Sequence, residues 1–320
     1  MRVHIAAVAT LLAGVSHASS TTQRCRASPD SADWPSFETW ASLNETLNGR
    51  LIKPTLAAAV CWSHRPEYDP ETCRAVLKAW QTQDFFANDP IVGWMGQWSD
   101  WSCLPRDPDQ DITSDEEVLW AENPDQAAMP SPGHEESLDN ISGNSTAYKP
   151  WCSGDGYPAY VVNATTAQHV KAAIDFAREN NVRLTVKNTG HDVTGRYTAP
   201  GSLSIWTHHM KSIAYHADSF TLDKSGRSFQ GHHMTVGAGC QLNELQQKAH
   251  KHGQVFPGGN SKTVGIAGFV SGGGHSILSP HFGLAADNVR QMEVVTPSGE
   301  VLTVNEDQHP DLFWAMRGVS

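Results

Sequence analysis

The sequence predicts an α+β or α/β domain in the second of the two parts of this chain of 320 residues. From about residue 157, short runs rich in β-branched residues alternate with runs of helical periodicity, the pattern of a mixed fold. The first part differs, because nine of the eleven tryptophans fall at or before residue 151. With 39% hydrophobic and 18% charged residues, the chain can bury a sizeable core.

A β-α-β unit is the first element predicted in the second half. Residues 159–162 (AYVV) predict a strand, and Thr165 with Gln168 three residues later predicts a capping box at a helix start. Apolar residues then recur at helical spacing through position 177 and give this helix one apolar face. The run RLTVK, residues 183–187, predicts the second strand of a unit of ordinary length.

Further elements follow in order along the second half. Residues 202–206 and 234–239 predict strands, and residues 242–253 predict a helix closed by glycine. A helix is expected to begin near Thr263. Residues 289–304 predict a hairpin around the turn Pro-Ser-Gly. No internal repeat is visible.

The first 18 residues predict a signal peptide. Arg2 precedes an apolar run at 5–15 and small residues at 16–18, and the run is too short to span a bilayer. Four N-x-S/T sites agree with export: Asn44, Asn140, Asn144 and Asn163. We therefore expect a secreted glycoprotein.

Residues 19–103 predict an ordered region that contains tryptophan and cysteine, and residues 104–150 predict an acidic linker or loop rich in Pro, Asp, Ser and Gly. The six cysteines lack Cys-x-x-Cys spacing, which favours disulfides over a zinc or thioredoxin-like site. We expect Cys61 to pair with Cys73, and Cys103 could pair with Cys152. Cys240 is expected to be a buried thiol, and Cys25 lacks an obvious partner.

The charge and the histidines limit the classes of partner. A formal net charge of −11 argues against nucleic acid and anionic membrane surfaces as partners. The chain has 16 histidines, but the adjacent pairs should point to opposite faces of strands, and His250 and His252 should not face each other on a helix. No metal site is expected, since zinc needs three or four convergent ligands.

Two glycine-containing loops are candidates for chemistry. The predicted strand at 183–187 stops at Asn188, Thr189 and Gly190, which His191 and Asp192 follow. Such a turn exposes backbone N–H groups that suit phosphate oxygens. The second loop lies within 256–289 and contains three successive glycines, which let a ligand approach the backbone closely. Neither loop fits the Walker A or the dinucleotide fingerprint, so the residues alone leave a phosphate-bearing cofactor and purely structural turns equally open.

Taken together, these stretches resemble a known family. The segments VKNTGHDVTGRYTAPGSLSIWTHHM, VGAGCQLNEL, FPGGNSKTVGIAGFVSGGGHS and GLAADNV are similar to secreted fungal FAD-linked oxidoreductases. Within the vanillyl-alcohol-oxidase-type flavoproteins, they look like the berberine-bridge-enzyme-like group. The resemblance covers residues 152–318 in order and spacing, and the Trp-rich first part looks like the leader region of the fungal members.

The resemblance implies an α+β FAD-binding domain of the PCMH type over residues 151–320, built of two α/β subdomains. The loop that would wrap the pyrophosphate consists of Asn188, Thr189, Gly190, His191 and Asp192. The other implied cofactor-binding residues are Gly272, Gly273, Gly274, His275, Ala286, Asp287 and Asn288.

His191 matches the histidine that in this family bonds covalently to the 8α carbon of the isoalloxazine ring. Neutral imidazole is a nucleophile, and the bond would favour reduction of the flavin. Ser261 stands where bicovalent relatives carry cysteine, so a single covalent link is expected. Asp192 is expected to stabilise the turn or orient His191.

The function implied is that of a secreted, monomeric FAD-dependent oxidoreductase. A small organic substrate would transfer a hydride to the flavin, and dioxygen would reoxidise it. The family pattern runs on beyond Ser320, so the FAD-binding domain is expected to be incomplete and no catalytic acid or base is assigned. The alternatives are an inactive FAD-binding remnant and a secreted glycoprotein whose glycine loops are only structural.

Overall fold

The computed structural model describes residues 25–94, 103–108, 152, 154 and 156–318. The expected signal peptide, the sites at Asn140 and Asn144, and most of the expected linker lie outside these residues. No helix of the described part is long and apolar enough to cross a membrane.

The described N-terminal region contains three α-helices: α1 (Phe37–Thr46), α2 (Pro70–Ala79) and α3 (Gln83–Asn88). Each begins after a polar residue whose side chain accepts a hydrogen bond from a backbone N–H of the first turn. A 3₁₀ turn, Ala57–Cys61, precedes α2. The ordered region expected over residues 19–103 stays a prediction as a whole, because residues 19–24 and 95–102 lie outside the described part.

Both predicted disulfides are confirmed. Cys61 bonds to Cys73 and thereby ties α2 to the 3₁₀ turn, and Cys103 bonds to Cys152. Cys240 is a buried free thiol, as expected, and Cys25 is free and exposed. The Cys240 thiol donates a hydrogen bond to the carbonyl of Ser212.

A four-stranded sheet joins the two parts of the chain. Its order is β1 (Leu51–Ile52), β2 (Tyr160–Asn163), β4 (Leu203–Trp206) and β3 (Leu184–Lys187). Both β2 and β3 run parallel to β4, whereas β1 runs antiparallel to β2. The helix α4 (Ala167–Glu179) connects β2 to β3, so the β-α-β unit is present with β4 inserted between its strands. All four residues of β4 are buried, which suits the central position.

The helix α4 begins one residue later than predicted. The hydroxyl of Thr166, and not of Thr165, accepts the hydrogen bond from the backbone N–H of His169. Thr165 instead contacts the ring of His169, and the side chain of Gln168 takes no part in a capping box.

The sheet carries a core on each face. Val161 packs with Trp62 and Phe86 of the N-terminal region, whereas the next residue, Val162, packs with Trp40 of α1 and with α4. Successive residues of a strand point to opposite faces, so the N-terminal region covers the sheet on both sides. It is therefore structurally continuous with the second half.

The rest of the second half forms antiparallel pairs and short helices. Its strands are β5 (Ile213–His216), β6 (Phe220–Thr221), β7 (Ser228–Phe229), β8 (His233–Val236), β9 (Gln291–Val295) and β10 (Val301–Asn305). Its helices are α5 (Leu242–His250), α6 (Ile266–Ser271), α7 (Ser279–Phe282) and α8 (Pro310–Ala315). The strands pair as β5 with β8, β6 with β7 and β9 with β10, which confirms the α+β class and the predicted hairpin.

Two predictions about local structure need correction. The helix expected near Thr263 begins at Ile266, because the segment before it is bonded to α5 and its flanking residues. His208 and His209 lie in a 3₁₀ turn, Thr207–His209, and not on a strand. Within the described residues, no group of three or more His, Cys, Asp or Glu side chains could hold a metal ion.

Candidate cofactor-binding site

The loop 188–192 leaves the end of β3 and is held by its first residue. The Asn188 side chain donates to the carbonyl of Ala238 at 2.6 Å, and the Trp206 indole donates to the carbonyl of Asn188 at 3.2 Å. Gly190 has φ of +76°, a conformation that glycine adopts without strain. A side chain there would also collide with the backbone of Gly93, 2.8 Å from its Cβ. The turn therefore requires glycine for conformation and for space.

Five successive backbone N–H groups of this loop, at residues 189–193, point to no acceptor within the described part of the chain. The buried Oδ1 of Asn188 likewise lacks a hydrogen bond there. A run of free N–H donors in a glycine turn is the donor set that phosphate oxygens require. The loop thus fits a pyrophosphate.

Asp192 stabilises the turn. Its carboxylate accepts hydrogen bonds from the backbone N–H and hydroxyl of Thr194 and from the backbone and guanidinium of Arg196. Partial burial opposes ionisation, yet these bonds lower the pKa of Asp192 to about 2. It forms no hydrogen bond to His191 within the described residues, so of the two expected roles the structure supports the first.

His191 is half-buried, and its Nε2 lies 2.7 Å from the hydroxyl oxygen of Thr263. Burial lowers the pKa of the imidazole, and the nearby charge of Lys187 lowers it further. The ring is consequently neutral at physiological pH, the form in which a ring nitrogen can act as a nucleophile.

A buried lysine directly precedes the loop. Lys187 is fully buried, and its ammonium donates to the carbonyls of Phe86 at 3.0 Å and Asp89 at 2.7 Å. Burial lowers the pKa of Lys187 to about 8, and the Asp89 carboxylate opposes that shift. Burial in turn raises the pKa of Asp89, whose carboxylate caps the backbone N–H groups of Ile91 and Val92. This contact connects the loop to α3.

The second glycine loop follows α6. Gly273 and Gly274 have φ of +87° and +73°, and their carbonyls accept from the backbone N–H groups of Ala286 and Ala285. A Cβ on Gly274 would lie 2.7 Å from the Cβ of Ala285, whereas one on Gly273 would meet only a Leu284 methyl at 3.7 Å. His275, which follows, is exposed. Gly273 and Gly274 are buried, with Gly318 close to the backbone of Gly273, whereas Gly272 before them is exposed.

The predicted residues 286–288 have local structural contacts. Ala286 is buried, and the Asp287 carboxylate accepts from the backbone N–H of Leu284 at 2.8 Å. The Asn288 amide donates to the carbonyls of Phe282 and Leu284. These side chains hold the turn that packs on the glycine loop, and a direct contact with a cofactor stays a prediction.

The short helix α6 brings the two loops together. Gly265, just before it, lies against Asn188, whose Oδ1 would be 2.2 Å from a Cβ at that position. Gly272 ends the helix, and six residues of α-helix span about 9 Å. The loops thus lie at the two ends of one short rigid element.

Sequence reasoning missed Gln83 and Asp84 of α3, which contact the segment 261–263 next to His191. The Oε1 of Gln83 in α3 accepts from the hydroxyls of Ser261 and Thr263. Lys262 also forms an ion pair with Asp84 of α3. No local pattern marks Gln83, because its partners lie about 180 positions away in sequence.

The chain is similar in sequence to known flavoproteins. A family described as "FAD binding domain" matches residues 158–305. The chain is 35% identical over 297 residues to the "FAD-linked oxidoreductase ZEB1" of Gibberella zeae, covering 92% of this chain and 44% of that protein. It is 35% identical over 298 residues to the "VAO-type flavoprotein oxidase VAO615" of Thermothelomyces thermophilus, with the same shares covered.

A solved structure shows the same fold. The VAO-type flavoprotein MtVAO615 from Myceliophthora thermophila matches with a TM-score of 0.74 and 34% identity, covering 92% of this chain and 46% of that chain. The chain thus spans less than half the length of the relatives it matches. Residues 158–305 thus match an FAD-binding domain, and the chain is similar in sequence and fold to vanillyl-alcohol-oxidase-type flavoproteins.

Proposed function

We propose that this chain binds FAD at the loops 188–192 and 272–275, carries it covalently on His191, and acts as a secreted FAD-linked oxidoreductase. The observation that carries the proposal is the run of five backbone N–H groups with no acceptor in the described part of the chain, around a half-buried histidine, in a region that matches an FAD-binding domain.

The residues of the chain have distinct roles in this proposal. The N–H groups of residues 189–193 bind the pyrophosphate oxygens, and Asp192 keeps the turn in shape through its bonds to Thr194 and Arg196. The exposed backbone at Gly272 would let the flavin and its ribityl chain approach the loop. The FAD would accept a hydride from a small organic substrate and pass the electrons to dioxygen, which forms hydrogen peroxide. Ser261 cannot form a thioether, so His191 is the one tether.

Several observations support the finer parts of the proposal. The relatives are named FAD-linked oxidoreductase and VAO-type flavoprotein oxidase, which agrees with an oxidase reaction. Two disulfides agree with folding in an oxidising compartment. Of the expected glycosylation sites, Asn163 and Asn44 are described, and the Oδ1 of each has a partner, Nδ1 of His209 at 2.7 Å and the backbone N–H of Leu51 at 3.0 Å. Asn44, near the end of α1, is only half-buried.

Flavin content tests the proposal. The secreted protein is purified and precipitated with acid, and the flavin absorbance of pellet and supernatant is measured. We expect a yellow pellet from the native protein, a colourless pellet from His191→Ala, and a yellow pellet from His250→Ala, which changes an exposed histidine at the end of α5. A native protein without flavin overturns the proposal.

Peroxide production separates an oxidase from an inactive flavoprotein. The yellow protein is assayed with alcohols, sugars and amines, and a supported oxidase releases hydrogen peroxide with at least one class. Flavin without peroxide on any class would instead support the FAD-binding remnant.

A further inference from the structure

A side chain from the N-terminal region reaches His191 through a chain of hydrogen bonds. The Oε1 of Gln83 accepts from the hydroxyl of Thr263 at 3.2 Å, and the same hydroxyl oxygen lies 2.7 Å from Nε2 of His191. Ser261 donates to the same Oε1 at 2.9 Å. Thr263 is 1% exposed, so solvent does not compete for its hydroxyl.

The direction of the protons in this chain follows from what each group can donate. An amide oxygen only accepts, so the single proton of the Thr263 hydroxyl points to Gln83. The lone pairs of that hydroxyl are then left for His191, and the 2.7 Å contact requires a proton on Nε2. A neutral imidazole has one protonated nitrogen, so Nδ1 carries the free lone pair.

We propose that Gln83 and Thr263 are positioning residues that hold His191 in the Nε2–H tautomer and leave Nδ1 as the nucleophilic nitrogen. Through Gln83, the N-terminal region thereby becomes part of the flavin attachment site. The role of these residues in flavin attachment rests on the function proposed above, whereas the assignment of the His191 tautomer does not depend on that function.

The surrounding charges agree with a neutral ring in a single tautomer. The buried ammonium of Lys187 lies on the chain four residues before His191 and disfavours a second proton on the imidazole. In the attachment, the Nδ1 lone pair would join the 8α carbon, while the flavin methyl group would lose one proton and Nε2 the other, which leaves a neutral imidazole. The flavin would hold the electron pair, and dioxygen would take up that pair and two protons to give hydrogen peroxide.

The tautomer is measured by NMR on the full chain purified without FAD, with the histidine ring nitrogens isotopically labelled. The His191 signals are identified by their loss in His191→Ala. We expect a protonated Nε2 and an unprotonated Nδ1 in the native chain. A protonated Nδ1 in the native chain overturns the proposal, whether or not the protein binds FAD.

Matched variants then test the two positioning residues. Thr263→Val and Gln83→Leu remove a hydrogen-bonding group, and we expect the His191 signals to shift toward a mixture of tautomers and the share of covalent flavin to fall. Thr263→Ser and Gln83→Glu keep a hydroxyl and an acceptor oxygen, and should keep the native signals. An unchanged Nε2–H signal in both Thr263→Val and Gln83→Leu contradicts the proposal. The proposed function fails separately, if the native chain shows the Nε2–H tautomer and yet takes up no FAD.

Discussion

Replacing Lys187 by methionine should strongly destabilise the protein. The Lys187 ammonium is buried and donates to the carbonyls of Phe86 and Asp89 at 3.0 and 2.7 Å. Methionine keeps an unbranched side chain of similar length but donates no hydrogen bond. The variant would leave two buried carbonyls and the buried carboxylate of Asp89 without their cation.

Removing a buried cation from its two carbonyl acceptors and from the nearby charge of Asp89 should cost about 3–5 kcal/mol of unfolding free energy, as for one partner of a buried charged pair. For a chain of this size, each kcal/mol lowers the melting temperature by about 2–4 °C, so we expect a decrease of roughly 6–20 °C. The lost hydrogen bonds connect β3 to α3, so the variant should also loosen the loop 188–192 that follows β3.

Urea denaturation and thermal melting measure this loss. The matched control is Lys171→Met, which removes an exposed lysine that pairs with Asp175 at 2.6 Å, one turn along α4. That surface pair contributes only about 0.3–0.5 kcal/mol. If Lys187→Met destabilises no more than Lys171→Met, the buried ammonium does not hold the N-terminal region to the loop.

Three further predictions concern the same fold. Burial lowers the pKa of Lys187 to about 8 from 10.5, so the unfolded chain binds more protons between these pH values, and the native protein should gain stability over Lys187→Met as pH rises from 8 to 10.5. The gain is at most about 1.4 kcal/mol per pH unit, and a pH-independent difference in urea denaturation would refute it. Cys61→Ser opens a disulfide with a sequence separation of 12 and should cost about 3 kcal/mol, whereas Cys25→Ser, at an exposed free thiol, should leave the melting temperature unchanged. Gly190→Ala should lower the melting temperature and flavin content more than Gly226→Ala, since both have positive φ but only the Cβ at Gly190 meets other atoms, and equal effects would contradict the packing described.

The local elements were largely predictable from the sequence, and their pairing was not. The apolar face of α4 and the glycine turn between β9 and β10 depend on residues that are close together in the sequence. Periodicity and turn chemistry therefore predict them. The place of β4 between β2 and β3 depends on burial of both its faces in the finished sheet. The start of α4 was displaced because two adjacent threonines can each cap a helix, and only the structure shows which hydroxyl faces the first turn.

The candidate site shows the same division. The sequence predicted the loop 188–192 as a glycine turn after a strand, and it left Asp192 either to stabilise the turn or to orient His191; its hydrogen bonds support the first role. The burial of Lys187 was not visible, since its partners Phe86 and Asp89 lie about 100 positions earlier. Contacts at such separations carry no local pattern, so the role of the N-terminal region in the site required the structure.

Covalent attachment of FAD to His191 is tested most directly by peptide mapping of the native protein. After denaturation and proteolysis, the peptides are separated with detection of flavin absorbance and identified by mass spectrometry. We predict one flavin-bearing peptide, containing His191, with no flavin on the peptide that contains Ser261. Flavin on any other residue, or a His191 peptide of unmodified mass in a protein that otherwise binds FAD, would contradict the assignment of His191 as the tether.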